Sequence, residues 1–238
     1  DEAADMVSEG TCTVVLDRTP FYGESGGQVG DKGTIYTQND TTLLNVQDTQ
    51  KRDGIYLHLC TVVSGVLQVG DSVIADINDE TREAIRRNHS ACHLLQAALR
   101  KVLGTHVQQA GSYVDDERVR FDFTHVQALS DEELSRVESL VNANILVGNT
   151  VTTTETDMET AQKSGAMALF GEKYGKVVRM VRMGDFSTEL CGGTHVSNTA
   201  QIGLFKITAE SSVAAGVRRI EGVTGLGVLQ HLNEDKAL

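Results

Sequence analysis

Up to Ile77 the sequence is built from short β-branched runs; from Asn78 it is built from helix formers. Thr13-Val14-Val15-Leu16, Leu43-Leu44-Asn45-Val46 and Ile55-Tyr56-Leu57-His58-Leu59 are separated by Gly, Asp and Asn, the pattern of strands joined by tight turns. Gly70-Asp71 stands between two alternating runs, 66–69 and 72–77, and predicts a hairpin that closes a small β-barrel over residues 1–78. After it, Asn78 is suited to cap a helix and Asp79 and Glu80 suit its positive end, with helix formers running to Leu103 before Gly104. Ser130-Asp131-Glu132-Glu133 is a capping box that starts a second helix, with Leu134, Val137 and Val141 on one face. A third helix is expected near Asp157, and the last stretch, from Gly227, begins another. Val119–Phe123 and Val177–Met183 mix β-branched, aromatic and charged residues as strands do. The expected fold class is α+β: an N-terminal small β-barrel packed on an α+β core over residues 79–238.

With 238 residues, 40% apolar and 23% charged, the chain can bury a core without staples and carries no low-complexity tract. It lacks an apolar run long enough to span a membrane and an N-terminal signal pattern, so no membrane partner and a cytoplasmic location are expected. The first methionine is Met6, which suggests a piece of a longer polypeptide. Cys12, Cys60, Cys92 and Cys191 lie too far apart for a dense disulfide scaffold; reduced thiols or a metal are expected.

Two short motifs carry metal chemistry. His89-Ser90-Ala91-Cys92-His93 places two imidazoles at i and i+4, on one helix face and within reach of a single ion. Cys191-Gly192-Gly193-Thr194-His195 adds a thiol and an imidazole, with glycines expected to let the backbone turn so that both converge. Together they form a His3Cys set suited to Zn2+. Cys92 points off the histidine face and is expected to be a packing residue. Ser90 occupies the position where the zinc proteases carry their glutamate base, and the deaminase signature is missing, so neither chemistry is supported. Four protein donors normally make a closed, structural site, which keeps a noncatalytic zinc open as an alternative.

The loop Thr19-Pro20-Phe21-Tyr22-Gly23-Glu24-Ser25-Gly26-Gly27-Gln28 matches neither the P-loop nor the dinucleotide fingerprint. It is either a turn or a place where backbone, Thr19 and Gln28 approach a small polar ligand. The net charge of −12 disfavours general nucleic-acid coating, so any such contact must be local. Arg82, Arg86, Arg87, Arg100, Lys101 and Arg218-Arg219 are the local positive residues that could hold a few phosphates.

The segment Asp17–Gln28, His89–His125, Ala168-Leu169-Phe170-Gly171-Glu172-Lys173-Tyr174-Gly175 and Cys191–His195, in this order, resemble the editing domain of alanyl-tRNA synthetases. Threonyl-tRNA synthetases carry a related core, but Gly111-Ser112-Tyr113-Val114 followed by Arg120-Phe121-Asp122-Phe123 is similar to the alanyl form. The resemblance implies hydrolysis of serine, and also glycine, from tRNA specific for alanine. A synthetic pocket sized for alanine rejects those two weakly, so a second hydrolytic site corrects the product. It implies zinc on His89, His93, Cys191 and His195, a functional glutamine at Gln109 rather than Gln108, and Thr19 reading the serine hydroxyl. Gln28, Gly192, Gly193 and Arg120 fall at expected substrate contacts and Cys191 in the reactive centre. Arg86, Arg87, Arg218 and Arg219 are the expected tRNA contacts, the acceptor end of that tRNA and the remaining domains of the synthetase the expected partners. Glu24 and Asp122 lie within motifs, but neither is marked as a general base. A noncatalytic, zinc-stabilised tRNA-binding module and a small-ester metallohydrolase are the competing classes.

Overall fold

A computed structural model describes residues 3–39, 41–168 and 175–236. The motif residues 169–174 lie outside the described residues. The chain divides into two compact units, Asp1–Arg82 and Glu83–Leu238.

In the first unit the strands are β1 (Met6–Val7), β2 (Thr11–Val14), β3 (Gly33–Thr37), β4 (Leu43–Arg52), β5 (Ile55–Ser64), β6 (Leu67–Gln68) and β7 (Val73–Ile77). Five form an antiparallel sheet in the order β2-β5-β4-β3-β7, while β1 and β6 pair separately. The expected barrel is therefore not what forms: β2 and β7 end the sheet without pairing to each other, and among the described residues no sheet closes. The reason lies at the predicted hairpin. The Asp71 N–H does turn back to the Gln68 carbonyl at 3.1 Å, but the Gln68 N–H is taken by the Asp71 carboxylate and the Val69 N–H by the Asp5 carbonyl. Those bonds draw β6 to β1 and send β7 alone to β3. The tight hairpin is instead at Asp53-Gly54, where φ is +50° and +81°, the conformation a two-residue connection between β4 and β5 requires. Phe21, Ile35, Leu44, Val46 and Cys60 form the apolar core of this unit.

Helix α1 (Asp79–Leu103) starts as expected, with the Asn78 side chain accepting from the Thr81 N–H at 3.0 Å. Every residue from Asn88 to Gln96 is buried, so this stretch is enclosed all round rather than amphipathic. Asn88 is accordingly bonded at both ends: it donates to the Asp115 carbonyl and accepts from Thr224 Oγ1 at 2.6 Å.

The second unit carries two antiparallel sheets. Strands β8 (Gln109–Val114) and β9 (Val119–Thr124) join β13 (Phe205–Ala214) and β14 (Val217–Thr224) in the order β13-β14-β9-β8. Strands β10 (Val151–Asp157), β11 (Val177–Met183) and β12 (Ser187–Leu190) form the other. Helix α2 (Asp131–Val147) buries Val137, Val141 and Ile145 and packs on β13 and on a 3-10 helix at Thr199–Ile202. Helices α3 (Met158–Lys163) and α4 (Leu226–Lys236) complete the unit. Among the described residues no helix is long and apolar enough to cross a membrane.

The capping box of α2 is formed in both directions: the Glu133 N–H donates to Ser130 Oγ at 3.2 Å and the Ser130 N–H to the Glu133 carboxylate at 2.8 Å. Ser130→Ala is expected to lower unfolding stability by about 1 kcal/mol, seen as a lower urea midpoint at unchanged slope.

Candidate metal centre and the residues around it

Helix periodicity stacks the His89 and His93 rings 5.2 Å apart at 16°. Leaving β12, the chain returns Cys191 and His195 to them, and the donor atoms of all four residues lie within 4.8 Å of one another. Cys191 Sγ is 3.4 Å from His89 Nε2 and from His195 Nε2. The convergence does not depend on left-handed glycines: neither Gly192 nor Gly193 has a positive φ. The loop is shaped instead by the Gly193 N–H, 3.4 Å from Cys191 Sγ, and by Arg179, whose Nη1 donates to the carbonyls of Cys191 and Gly193. A Cβ on Gly192 would meet nothing within 4 Å, so the glycine borders open space beside the sulfur.

Two residues that sequence reading missed orient the imidazoles. Glu189, buried on β12, hydrogen-bonds His93 Nδ1. Ser90 Oγ lies 3.3 Å from His195 Nδ1 and accepts from the Val196 N–H at 3.1 Å. With Nδ1 engaged in both rings, the Nε2 atoms are left as ligands, the usual arrangement around a bound metal. Glu189 stands on β12 two residues before Cys191, which lies just past the strand's end, and a carboxylate that close in sequence to a candidate ligand is the signal that could have found it. Ser90 had none beyond its place next to His89.

Electrostatics follow from this packing. Burial pulls the His93 imidazole down, but the Glu189 carboxylate and Cys191 beside it prevail and hold its pKa at about 10. Burial raises the Cys191 thiol, yet the His89 and His93 charges outweigh it and the thiol lies well below its ordinary value. Burial and the His89 charge push His195 down to about 3. Burial raises the enclosed Cys92 thiol, as befits a packing residue. His93 Nε2 is buried and has no hydrogen-bond partner. A buried ring nitrogen left without a partner among a thiol and two imidazoles is a position a metal ion would satisfy on displacing the ring's proton, so the residues fit one. The cluster is capable of coordinating a metal ion.

Gln109 is half-buried at the start of β8 and donates to Ser112 Oγ at 3.2 Å, whereas Gln108 is exposed. Arg120 on β9 lies over the Tyr113 ring, 5.4 Å from its centre. The Asp122 carboxylate receives two bonds from Arg219 at 2.7 and 2.8 Å. Glu24 accepts from Gln50 at 2.7 Å. Among the expected tRNA contacts, Arg218 is paired with Glu210 and Arg86 with Glu83; Arg87 lies beside Gly225. Arg82 is buried against Asp31 and Arg100 bonds the carbonyls of Thr105 and Val107, so both serve the fold. Thr19 and Gln28 belong to the first unit; Thr19 is half-buried and Gln28 fully buried.

Residues 178–221, which include Glu189, Cys191 and His195, match the family of the threonyl and alanyl tRNA synthetase second additional domain, and residues 1–81 match the class II (A) tRNA synthetases. Alanine–tRNA ligase of Pseudomonas fluorescens is 54% identical over 234 residues, 98% of this chain and 26% of that protein. The enzyme of Dichelobacter nodosus is 53% identical over 239 residues, 99% of this chain and 27% of that protein. The chain belongs to the alanyl and threonyl editing-domain family. It corresponds to an editing-domain-containing part of an alanine–tRNA ligase and spans about a quarter of the length of the relatives it matches.

Proposed function

We propose that this chain hydrolyses the ester linking serine or glycine to tRNA specific for alanine, with zinc as its metal. The carrying observation is the set His89, His93, Cys191 and His195, with the unpartnered His93 Nε2 among the donors. Zinc held there would polarise the ester carbonyl or acidify a bound water. The protein's own groups bind and select. Glu189 and Ser90 hold two imidazoles in register, Thr19 reads the serine hydroxyl, and Gln109 and Arg120 act as polar contacts for the aminoacyl end. Gln28 shapes the loop that carries Thr19, while Gly192 and Gly193 leave room beside the reactive Cys191. An alanyl ester would leave the hydroxyl-reading groups unpaired, which disfavours it; a glycyl ester does the same and is the lesser of the two substrates, serine the main one. Arg86, Arg87, Arg218 and Arg219 supply phosphate contacts near the acceptor end; three of them already hold carboxylates, so that grip is weak and shared with the remaining domains of the ligase. A cytoplasmic location goes with this role.

One observation favours a second reading, a noncatalytic zinc-stabilised module: four protein donors fill a tetrahedral shell. The experiment compares hydrolysis of seryl-tRNA and alanyl-tRNA, both on the alanine tRNA, by zinc-loaded and chelator-stripped protein, with circular dichroism alongside. Fast loss of serine, retention of alanine and a stripped protein that is folded but inactive are expected. Bound zinc, no loss of either amino acid and unfolding on stripping would replace the enzyme by the module.

A further inference from the structure

His58 lies on β5, is completely buried, and has both ring nitrogens engaged within the first unit. Its Nδ1 is 2.8 Å from the Val14 carbonyl oxygen, and a carbonyl only accepts, so Nδ1 carries the hydrogen. The Phe21 ring meets the imidazole edge-on at 5.2 Å, and burial disfavours the imidazolium. In the neutral ring Nε2 is therefore bare, and Thr19 Oγ1, 2.7 Å away, must donate to it. The same oxygen accepts from the Phe21 N–H at 3.1 Å. A hydroxyl has one hydrogen and two lone pairs, so after these two bonds Thr19 keeps a single acceptor site.

Thr19 also lines a cavity of about 370 Å³ with Asp17, Arg18, Phe21, Ile55 and Tyr56. That is near the lower end of ligand pockets, a size for a small group rather than a nucleotide. We infer that His58 is a positioning residue that fixes Thr19 as an acceptor, so that this cavity selects a small ligand group presenting a hydroxyl donor. The inference rests on the proposed editing role, and it names the polarity of the selection: the serine hydroxyl enters as donor, while glycine and alanine have no hydrogen to give. A threonine free to rotate would accept or donate alike and would discriminate less.

The test uses non-hydrolysable amides of serine and of glycine with 3′-amino-3′-deoxyadenosine, titrated calorimetrically into the zinc-loaded chain, with hydrolysis of seryl- and glycyl-tRNA measured in parallel. His58→Phe keeps a buried ring but offers Thr19 no acceptor; His58→Gln returns an acceptor near the Nε2 position; Thr19→Val removes the reader and leaves His58 in place. The wild-type preference for the serine amide is expected to fall about tenfold in His58→Phe and Thr19→Val, the worth of one net hydrogen bond, and to recover in His58→Gln. A preference unchanged in His58→Phe, or a wild type that binds the two amides equally or binds neither, overturns the inference. Hydrolysis that is absent while the binding preference follows His58 removes the enzymatic role and leaves the Thr19 assignment standing.

Discussion

His93→Ala is expected to abolish tight metal binding and to destabilise the chain at the same time. Removing a hydrogen-bond partner of a metal ligand costs about 10–100-fold in affinity, so deleting the ligand itself should exceed about 100-fold. The second effect comes from Glu189, which is 6% exposed and loses its partner in the buried cluster. Breaking a buried ionic pair by removing one side costs about 3–5 kcal/mol, because the remaining charge stays out of water. His93→Ala combined with Glu189→Gln should therefore recover stability while metal binding stays lost. Zinc affinity by competition with a chromophoric chelator and urea unfolding of the metal-free proteins separate the two effects. Wild-type affinity in His93→Ala would remove this residue from the metal set.

Arg82→Met is expected to cost about 3–5 kcal/mol in the metal-free protein, a large share of the 5–15 kcal/mol typical of a whole domain. Arg82 and Asp31 are 8% and 2% exposed, and Arg82 Nε lies 2.9 and 3.0 Å from the two carboxylate oxygens. The pair also anchors the glycine-rich loop. Arg82 Nη2 donates to the Pro20 carbonyl at 3.1 Å, and Asp31 accepts from the Tyr22 N–H at 2.7 Å. In the single variant Asp31 becomes a buried carboxylate without its cation. Arg82→Met with Asp31→Asn removes that charge and keeps an acceptor for Tyr22, so it should be more stable than Arg82→Met alone. Urea midpoints of the three proteins decide the point; a single variant within about 1 kcal/mol of wild type would mean that the pair contributes little.

The metal cluster was legible because its information is local: i,i+4 spacing on a helix fixes the His89–His93 approach, and Cys191–His195 repeats the interval. Helix starts were legible for the same reason, since Asn78, Ser130 and Asp157 each bond an N–H three residues on. Barrel closure was not legible. Whether β2 meets β7 depends on where the backbone groups of residues 67–71 find partners, and the Gly70-Asp71 signal specified the turn without specifying which strands it would join. The arginines were counted correctly as charges, but composition does not say that Asp122, Glu210 and Glu83 already hold three of them. His58 stood in a strand without a neighbouring partner in sequence, and Thr19 reaches it across 39 positions.

The unclosed sheet has a consequence for how this chain behaves at high concentration. A barrel has no rim of free peptide groups, whereas among the described residues β2 and β7 are each the last strand on their side of the sheet. These margins span only four and five residues, and β7 carries Asp76 within it. A short, charged margin templates fibre growth poorly. What the fold forgoes in circular closure it recovers by brevity, and mutations that lengthen β7 or neutralise Asp76 would turn a soluble margin into an adhesive one.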